Sequence, residues 1–413
     1  MNPQLSGSNI NLVKAHNIQV ILLSLLNTPC VSRVQLAKRS GLSNTTISNL
    51  VSELMEDGII IEECEVGPPI KQTRVVGRPR TNIRLAPDAR FVIGVHIGIG
   101  NIRVALTNLR DEIQIYRVLE FDVKKPVQIV LDELVECIER LITESGKSRK
   151  IILGVGVGAS GLVDFQAGVN LLSTNLSWRN VPLRDILQEK LNLPVVVDNN
   201  VRTMAIAETY FGAGRNSSSL VFVYGRVGVG AGLTFKGEVY RGNAMGAGEI
   251  GHTIMRFPNG DLCHCGNHGC LETLVSESVI IQRANQIARE NPDGILASLM
   301  KDKDTKPIEL VFMASRQGDE NVRQMLVEVG QNLGLALVNV VNLFNPELIL
   351  LGGIFSQGQD FFLEPAIQTV RALSFGGMGD KVRIQPTSFG WKAGVLGAAA
   401  LALINFFYHV ESV

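Results

Sequence analysis

The chain has 413 residues, 46% of them hydrophobic and 19% charged, the composition of a globular protein with ample core and a length for roughly two to four domains. Its formal net charge is zero, so no global field draws it to nucleic acid or a membrane, and any such affinity must be local. No apolar run reaches the ~18 residues of a membrane span and MNPQLSGSNINLVK lacks the apolar core of a signal peptide, which reads as a cytoplasmic protein.

From Asn17 to Leu26, NIQVILLSLL places apolar residues on a helical face. Ser32 can cap a second helix, RVQLAKRS; Gly41 makes a tight turn; and Ser43 caps a third, NTTISNLVSELMEDG. Leu36, Ala37, Leu42, Ile47, Leu50 and Val51 fit two helices packed across a short turn, the helix-turn-helix arrangement. Arg33, which opens its first helix, is expected to contact DNA, and Asn44, Thr45, Thr46, Ser48 and Asn49 give the second helix short polar groups suited to base edges or phosphates. The β-prone IIIEECEVG follows Gly58, then PPIKQTRVVGRPR, then a further strand, TNIRLAP, completing a wing. Between Lys71 and Arg84 lie Lys71, Arg74, Arg78, Arg80 and Arg84 with no acid among them, a strip suited to phosphate neutralisation. Pro79 keeps GRPR extended, a form in which Arg78 or Arg80 enters a minor groove. Three helices alone would fit a protein-interaction module equally well. Helices, wing and basic loop in this order favour DNA.

Beyond residue 88 the pattern is α/β. The strand-like FVIGVHIGIGN, IRVALTNL and IILGVGVGA alternate with helical stretches such as VQIVLDELVECIERLITE. A second α/β unit runs from SLVFVYG to about Gln385, and AGVLGAAALALINFF reads as a buried helix. Of the six cysteines, Cys30, Cys64 and Cys137 are scattered, whereas Cys263, Cys265 and Cys270 fall within eight positions as CHCGNHGC. Three thiols and one imidazole form a closed structural zinc set. His252, His264 and His268 compete for the fourth place, and spacing alone does not choose.

These stretches resemble the ROK family of repressors, open reading frames and kinases, in particular its repressors with an N-terminal winged helix. The resemblance rests on GAGEIGHT (246–253), CHCGNHGCLET (263–273), NLSWRNVPL (175–183) and VVNLFNPELILLGG (340–353), and spans nearly the whole chain. It implies a multidomain protein: an N-terminal winged helix-turn-helix, mainly α, before a two-lobed α/β sugar-kinase fold of the actin-like, ribonuclease H-like kind. The implied division is 1–70 for the DNA-binding head, 71–88 for the basic wing and linker, 89–197 for the first lobe, and 198–390 for the second with the zinc motif. The C-terminal helix, 391–408, returns to the first lobe. The family motif matches His252 with Cys263, Cys265 and Cys270 as zinc ligands, leaving His264 and His268 as bystanders. It also implies sugar contacts from Gly161, Asn199, Asn200, Glu249, His252 and Glu272, with second-row support of the metal ligands as the other reading of Glu249 and Glu272.

Kinases of the family resemble one another in an Asn-Asp pair whose Asp takes a hydroxyl proton; here that position is Asn200, and an amide is no base. Asp198, two residues earlier, is the carboxylate that would take over if the alignment slips. The first phosphate turn, Asp-x-Gly-Gly-Thr in the kinases, is matched by His96, Gly98, Ile99 and Gly100; the second, Gly-Thr-Gly, by Arg226, Val227 and Gly228. Acid and hydroxyls are missing, so the ATP site is expected to be degraded and no catalytic residue is assigned; Arg226 serves either a surface salt bridge or an anion such as a sugar phosphate. The expected protein is a sugar-responsive repressor with structural zinc, binding double-stranded operator DNA as a homodimer or dimer of dimers. Two other readings stand beside it: an ATP-dependent sugar kinase with an appended DNA-binding domain, and a regulator titrated by a transport-system protein.

Overall fold

A computed structural model describes residues 10–28, 30–63 and 82–408, except the side chains of Ile10 and Glu63. Cys64 and the basic positions Lys71, Arg74, Arg78 and Arg80 lie outside the described residues. The head contains α1 (Ile10–Leu26), the two-residue strand β1 (Val31–Ser32), α2 (Arg33–Ser40), α3 (Asn44–Glu56), β2 (Ile60–Glu63) and β3 (Asn82–Leu85). Helix α1 begins at Ile10 rather than near Asn17, because no glycine or proline interrupts residues 10–26. Ser32 and Gln35 cap α2 reciprocally, and the Ser43 hydroxyl accepts from the Thr46 N–H to start α3, each occupying donors that a helix end leaves orphaned. Strands β2 and β3 pair antiparallel, and β1 adds to the far side of β3. So short a strand has no periodicity to read in the sequence. The fold of the head is the winged helix-turn-helix.

The rest of the chain is one topology used twice. The first lobe contains β4 (Phe91–Ile97), β5 (Asn101–Asn108), β6 (Ile113–Glu120), α4 (Val127–Ser145), β7 (Ile152–Ala159), the small sheet of β8 (Leu162–Asp164), β9 (Val169–Ser173) and β10 (Trp178–Val181), then α5 (Leu183–Leu191), β11 (Val195–Asn199) and α6 (Asn200–Tyr210). The second begins with β12 (Ser219–Gly225), β13 (Val229–Phe235) and β14 (Glu238–Tyr240). Helices α7 (Glu272–Val275), α8 (Glu277–Glu290), α9 (Ile295–Leu299), α10 (Pro307–Arg316) and α11 (Glu320–Phe344) come next, before β15 (Leu348–Gly353), α12 (Ile354–Gln357), α13 (Gln359–Leu373) and β16 (Arg383–Pro386). The main sheets are ordered β11-β7-β4-β5-β6 and β14-β13-β12-β15-β16. In each, three consecutive strands meander antiparallel, and the first of them then pairs parallel with a strand that arrives after a helix. That is the ribonuclease H-like sheet, and the two copies give the sugar-kinase architecture its two lobes.

The last helix, α14 (Ala393–Leu403), lies on β4, β5 and β7 and against α6. Two strand glycines make this approach: a Cβ on Gly94 would stand 2.4 Å from the Val395 carbonyl oxygen, and one on Gly156 would stand 1.9 Å from that of Ala398. The helix answers with AGVLGAAALAL, small residues on every side and all buried. Beyond it, Ile404–Tyr408 forms a π turn, and the Tyr408 hydroxyl donates to the Leu109 carbonyl at 2.6 Å. Tyr408, Leu401 and Leu403 share one apolar cluster with Ile21, Leu25 and Leu36 of the head. Two segments, Glu320–Phe344 and Gly390–Tyr408, match a membrane span in length and apolar character. Both are core helices here, the first burying Leu326, Val329, Leu333 and Leu337 along one side and the second packed into the first lobe.

Candidate ligand cleft and metal cluster

The matching hairpin turns of the two lobes, β4–β5 and β12–β13, face a common cleft of about 240 Å³. The first lobe contributes His96, Ile99, Gly161, Asn199 and Asn200; the second contributes Arg226, Glu249, His252, His264 and Glu272. Gly161, at φ 99°, turns the chain so tightly that a Cβ would meet the Leu172 carbonyl oxygen at 2.3 Å. Its own carbonyl accepts from Asn199 Nδ2 at 2.8 Å, while Asn199 Oδ1 accepts from the N–H groups of Val201 and Arg202 to cap α6. Asn199 thus braces the wall. Asn200, one residue on, lines the cleft, and its Oδ1 accepts from the Val201 N–H of its own helix start at 2.9 Å.

The opposite wall is acidic. Glu272, at the start of α7, accepts from the Val229 N–H at 2.9 Å through Oε2 and meets His264 Nδ1 at 2.7 Å through Oε1. Glu249 is reached through the cleft mouth, yet the surrounding walls remove enough water to raise its carboxyl above the ordinary range, partly offset by His252 and Arg202. His264 faces the cleft beside Glu272 and edge-on to His252 at 5.4 Å. Sequence spacing gave no sign of that position, since His264 sits between two clustered cysteines. His268 turns away to the Gly260 carbonyl at 3.0 Å.

Behind His252 lies a cluster able to hold a metal ion. The ligand atoms of His252, Cys263, Cys265 and Cys270 all fall within 4.8 Å of one another. Cys265 and Cys270 Sγ are 3.7 Å apart, and His252 Nδ1 is 3.7 Å from Cys263 Sγ. Tetrahedral zinc with Zn–S bonds of ~2.3 Å needs sulfurs ~3.8 Å apart, so this donor set fits the ion. With Nδ1 on the metal side, His252 keeps Nε2 for the cleft.

The phosphate-turn positions are filled differently. His96 is 3% exposed and neither ring nitrogen has a hydrogen-bond partner among the described residues. Its ring is wedged against α14, where a Cβ on Gly394 would stand 2.6 Å from it. Burial, followed by the charges of Arg103 and Arg226, pushes its pKa down to about 3, so it is neutral. Asp198 lies at the end of β11, fully buried and outside the cleft lining. Its carboxylate receives Arg202 Nε at 2.6 Å, the Asn199 N–H at 2.7 Å and Arg241 at 2.9 Å. Arg202, itself 3% exposed, also donates to the carbonyls of Met245 and Val163, and Arg241 stacks over Phe165 at 3.9 Å.

In the head, Asn44, Thr45, Ser48 and Asn49 stand exposed on α3, opposite buried Ile47, Leu50, Val51 and Leu54. Thr46 is half-buried and tied to Ser43 at 2.9 Å. Arg33 is engaged inside the head, 3.3 Å from Met55 Sδ and 3.6 Å from Glu62.

The ROK family model matches residues 92–404, which takes in both lobes and the cleft between them. The chain belongs to the ROK family. A winged helix-turn-helix DNA-binding model matches residues 16–61 of its head. The xylose repressor of Caldicellulosiruptor bescii is 30% identical over 395 residues, covering 96% of this chain and 97% of that one. A crystal structure of a ROK family transcriptional regulator, homologous to the Escherichia coli Mlc protein, superposes with a TM-score of 0.80 at 26% identity, over 96% of this chain and 97% of that one. The ROK glucokinase of Streptomyces griseus, solved with glucose and AMPPNP, superposes at 0.67 with 28% identity, all of it covered by only 76% of this chain.

Proposed function

We propose that this protein is a sugar-responsive transcriptional repressor of the cytoplasm and has no kinase activity. The reading is supported by a cleft that gathers polar groups at one wall while a buried imidazole and bulky side chains occupy the positions matching the phosphate turns. Asn200, Glu249, His252 and Glu272 supply directed acceptors and donors for neighbouring hydroxyls, the kind of contact that separates epimers. At the turns, a neutral buried imidazole stands where magnesium would need a carboxylate, and Ile99 and Arg226 stand where phosphate needs small polar residues. Asp198 offers no substitute base, because two arginines and a backbone N–H already occupy it. The full-length similarity to a xylose repressor and to a ROK transcriptional regulator favours the same reading over a kinase.

Residues 1–70, with the basic stretch 71–88, form the DNA-binding unit in this proposal: the exposed polar turn of α3 reads bases, and Lys71, Arg74, Arg78 and Arg80 neutralise phosphates. The sensing lobes divide after α6 rather than at 197/198, since β11 pairs with β7 through Asn199: the first runs from 89 to Tyr210 and the second from Ser219 to 390, with 391–408 closing the first. His252, Cys263, Cys265 and Cys270 hold structural zinc, whose chemistry is to fix the wall that carries His252 and Glu272. A ligand shifts the repressor only by binding its two arrangements unequally. The route is short: α1 borders a cavity also lined by Phe165 and Pro194 of the first lobe and Val239 and Arg241 of the second. A change in lobe closure therefore bears on the head directly. Two heads in a homodimer would read paired half-sites.

The test is binding of the purified protein to DNA upstream of its own gene at several salt concentrations, with pentoses, hexoses and amino sugars titrated into the complex. A salt-dependent complex whose affinity one sugar shifts is the expected result. DNA binding that no sugar alters would overturn the sensor reading, and no DNA binding would overturn the repressor.

A further inference from the structure

The family motif sets His264 aside, yet its side chain lines the cleft. The loop that carries it is short and pinned. Leu262 and His268 bridge across its base, the Cys263 N–H donates to the Asn267 carbonyl at 2.8 Å, and the Gly266 N–H donates to the Cys263 carbonyl at 2.9 Å. The two neighbours of His264 in this turn, Cys263 and Cys265, both belong to the four-residue metal set. A backbone held on both sides presents its side chain with little freedom, which is what a ligand-contacting group needs.

One nitrogen of the ring is used inside the protein. Nδ1 lies 2.7 Å from Glu272 Oε1 and 3.9 Å from Cys263 Sγ. A carboxylate only accepts, so Nδ1 carries the proton of the neutral imidazole and Nε2 is left as an acceptor. Nε2 makes no hydrogen bond among the described residues, and the side chain is 43% exposed. His252 stands edge-on at 5.4 Å with the opposite polarity, for with Nδ1 turned to the thiols its Nε2–H donates. A sugar hydroxyl donates and accepts at once, so it matches both rings, whereas a hydrogen in its place matches neither. Cys263, His264 and Glu272 also bring their ligand atoms within 4.8 Å of one another. A metal ion between His264 and Glu272 is the poorer account of that contact: two bonds of 2.0–2.1 Å at a tetrahedral angle put N and O about 3.3 Å apart, and 2.7 Å is a hydrogen bond.

We infer that His264 contacts the effector, its Nε2 accepting from one sugar hydroxyl while Glu272 holds the ring, and that this contact helps to decide which sugars the cleft accepts. This rests on the sugar-sensor reading and adds a specificity-determining residue to it. Glu272 then orients an imidazole as well as facing the ligand. A site built around a hydroxyl rejects the analogue that lacks it, because its own polar groups are left unpaired.

Calorimetric titration of the intact chain tests this with xylose, glucose and N-acetylglucosamine, followed by each monodeoxy analogue of the sugar that binds. His264→Asn keeps an amide donor for Glu272 and lacks an atom at Nε2; His264→Gln reaches the Nε2 position and lacks the donor. The sugar should bind His264→Asn about ten- to a hundredfold more weakly than the unsubstituted chain, and His264→Gln with a smaller loss. One monodeoxy analogue should bind the unsubstituted chain and His264→Asn equally, while the others keep the difference, which marks the hydroxyl that meets the ring. Metal content should be the same in all three proteins. Unchanged affinity in His264→Asn, equal losses in the two variants, or a loss shared by every monodeoxy analogue overturns the inference and leaves the sensor reading standing. Two metal ions per chain, falling to one in His264→Asn, would make the residue a ligand and overturn it as well. If no sugar binds the unsubstituted chain, the sensor reading falls and this inference with it.

Discussion

Replacing Asp198 with asparagine separates the structural and catalytic accounts of that residue. Its carboxylate is fully buried and takes three donors, from Arg202, Arg241 and the Asn199 N–H. Asparagine offers one acceptor oxygen and turns an NH2 group towards a guanidinium, and Arg202, 3% exposed, loses its counter-charge. Breaking a buried pair in this way costs about 3–5 kcal/mol. The matched ROK region, residues 92–404, has an unfolding entropy of about 2.1 cal/mol/K per residue, so the variant should melt roughly 5–8 °C lower. Arg241→Ala removes a partner that is 22% exposed and should cost much less, about 1–2 kcal/mol. The assay is thermal unfolding followed by circular dichroism, with ATP turnover on a sugar panel measured for both proteins. A drop of under 2 °C would refute the buried-network argument. ATP turnover in the parent that vanishes in the variant would instead make Asp198 a catalytic base.

Cys265→Ser should lose stoichiometric zinc by mass spectrometry and melt at a lower temperature, since structural zinc contributes apparent binding of ~10–16 kcal/mol in small zinc peptides; unchanged metal content would rule the cluster out. Glu272→Gln should weaken the effector response while leaving DNA binding in place, measured by anisotropy of labelled operator DNA, and loss of both would make Glu272 mainly structural. His96 titrates near 6.5 when unfolded and at about 3 when folded, so the unfolded chain binds the extra proton between those values and stability falls as pH drops through that window. Relative to His96→Phe, the parent should lose about 2 kcal/mol between pH 8 and pH 5; parallel pH profiles would mean the ring is not buried neutral.

What could be read from the sequence depended on how far apart in the chain the cooperating residues lie. The metal set was visible because three of its ligands fall within eight positions, whereas the choice of His252 came from a family motif and not from spacing. The helix-turn-helix was legible from caps and periodicity, both of them local. The Asp198–Arg202–Arg241 network was not, because Arg241 joins it from a loop in the other lobe, 43 residues away. FVIGVHIGIGN looked like a phosphate turn throughout, but its glycines divide in purpose: Gly98 and Gly100 serve the turn, while Gly94 makes room for α14 from the far end of the chain. His264 lacked any local signal, since only the tertiary path of α7 brings Glu272 against it.

The clustering of Tyr408, Leu401 and Leu403 with Ile21, Leu25 and Leu36 has a consequence for synthesis. The head is translated before α14, yet α14 and the turn after it complete the surface on which the head rests. Until then β4 and β7 expose the groove that α14 will occupy. A nascent chain therefore carries a free head on an unfinished support, and a chain stopped before residue 393 never completes it. In the proposed repressor, coupling between effector and DNA would need that surface, so products truncated before α14, even with an intact head, should escape control by ligand.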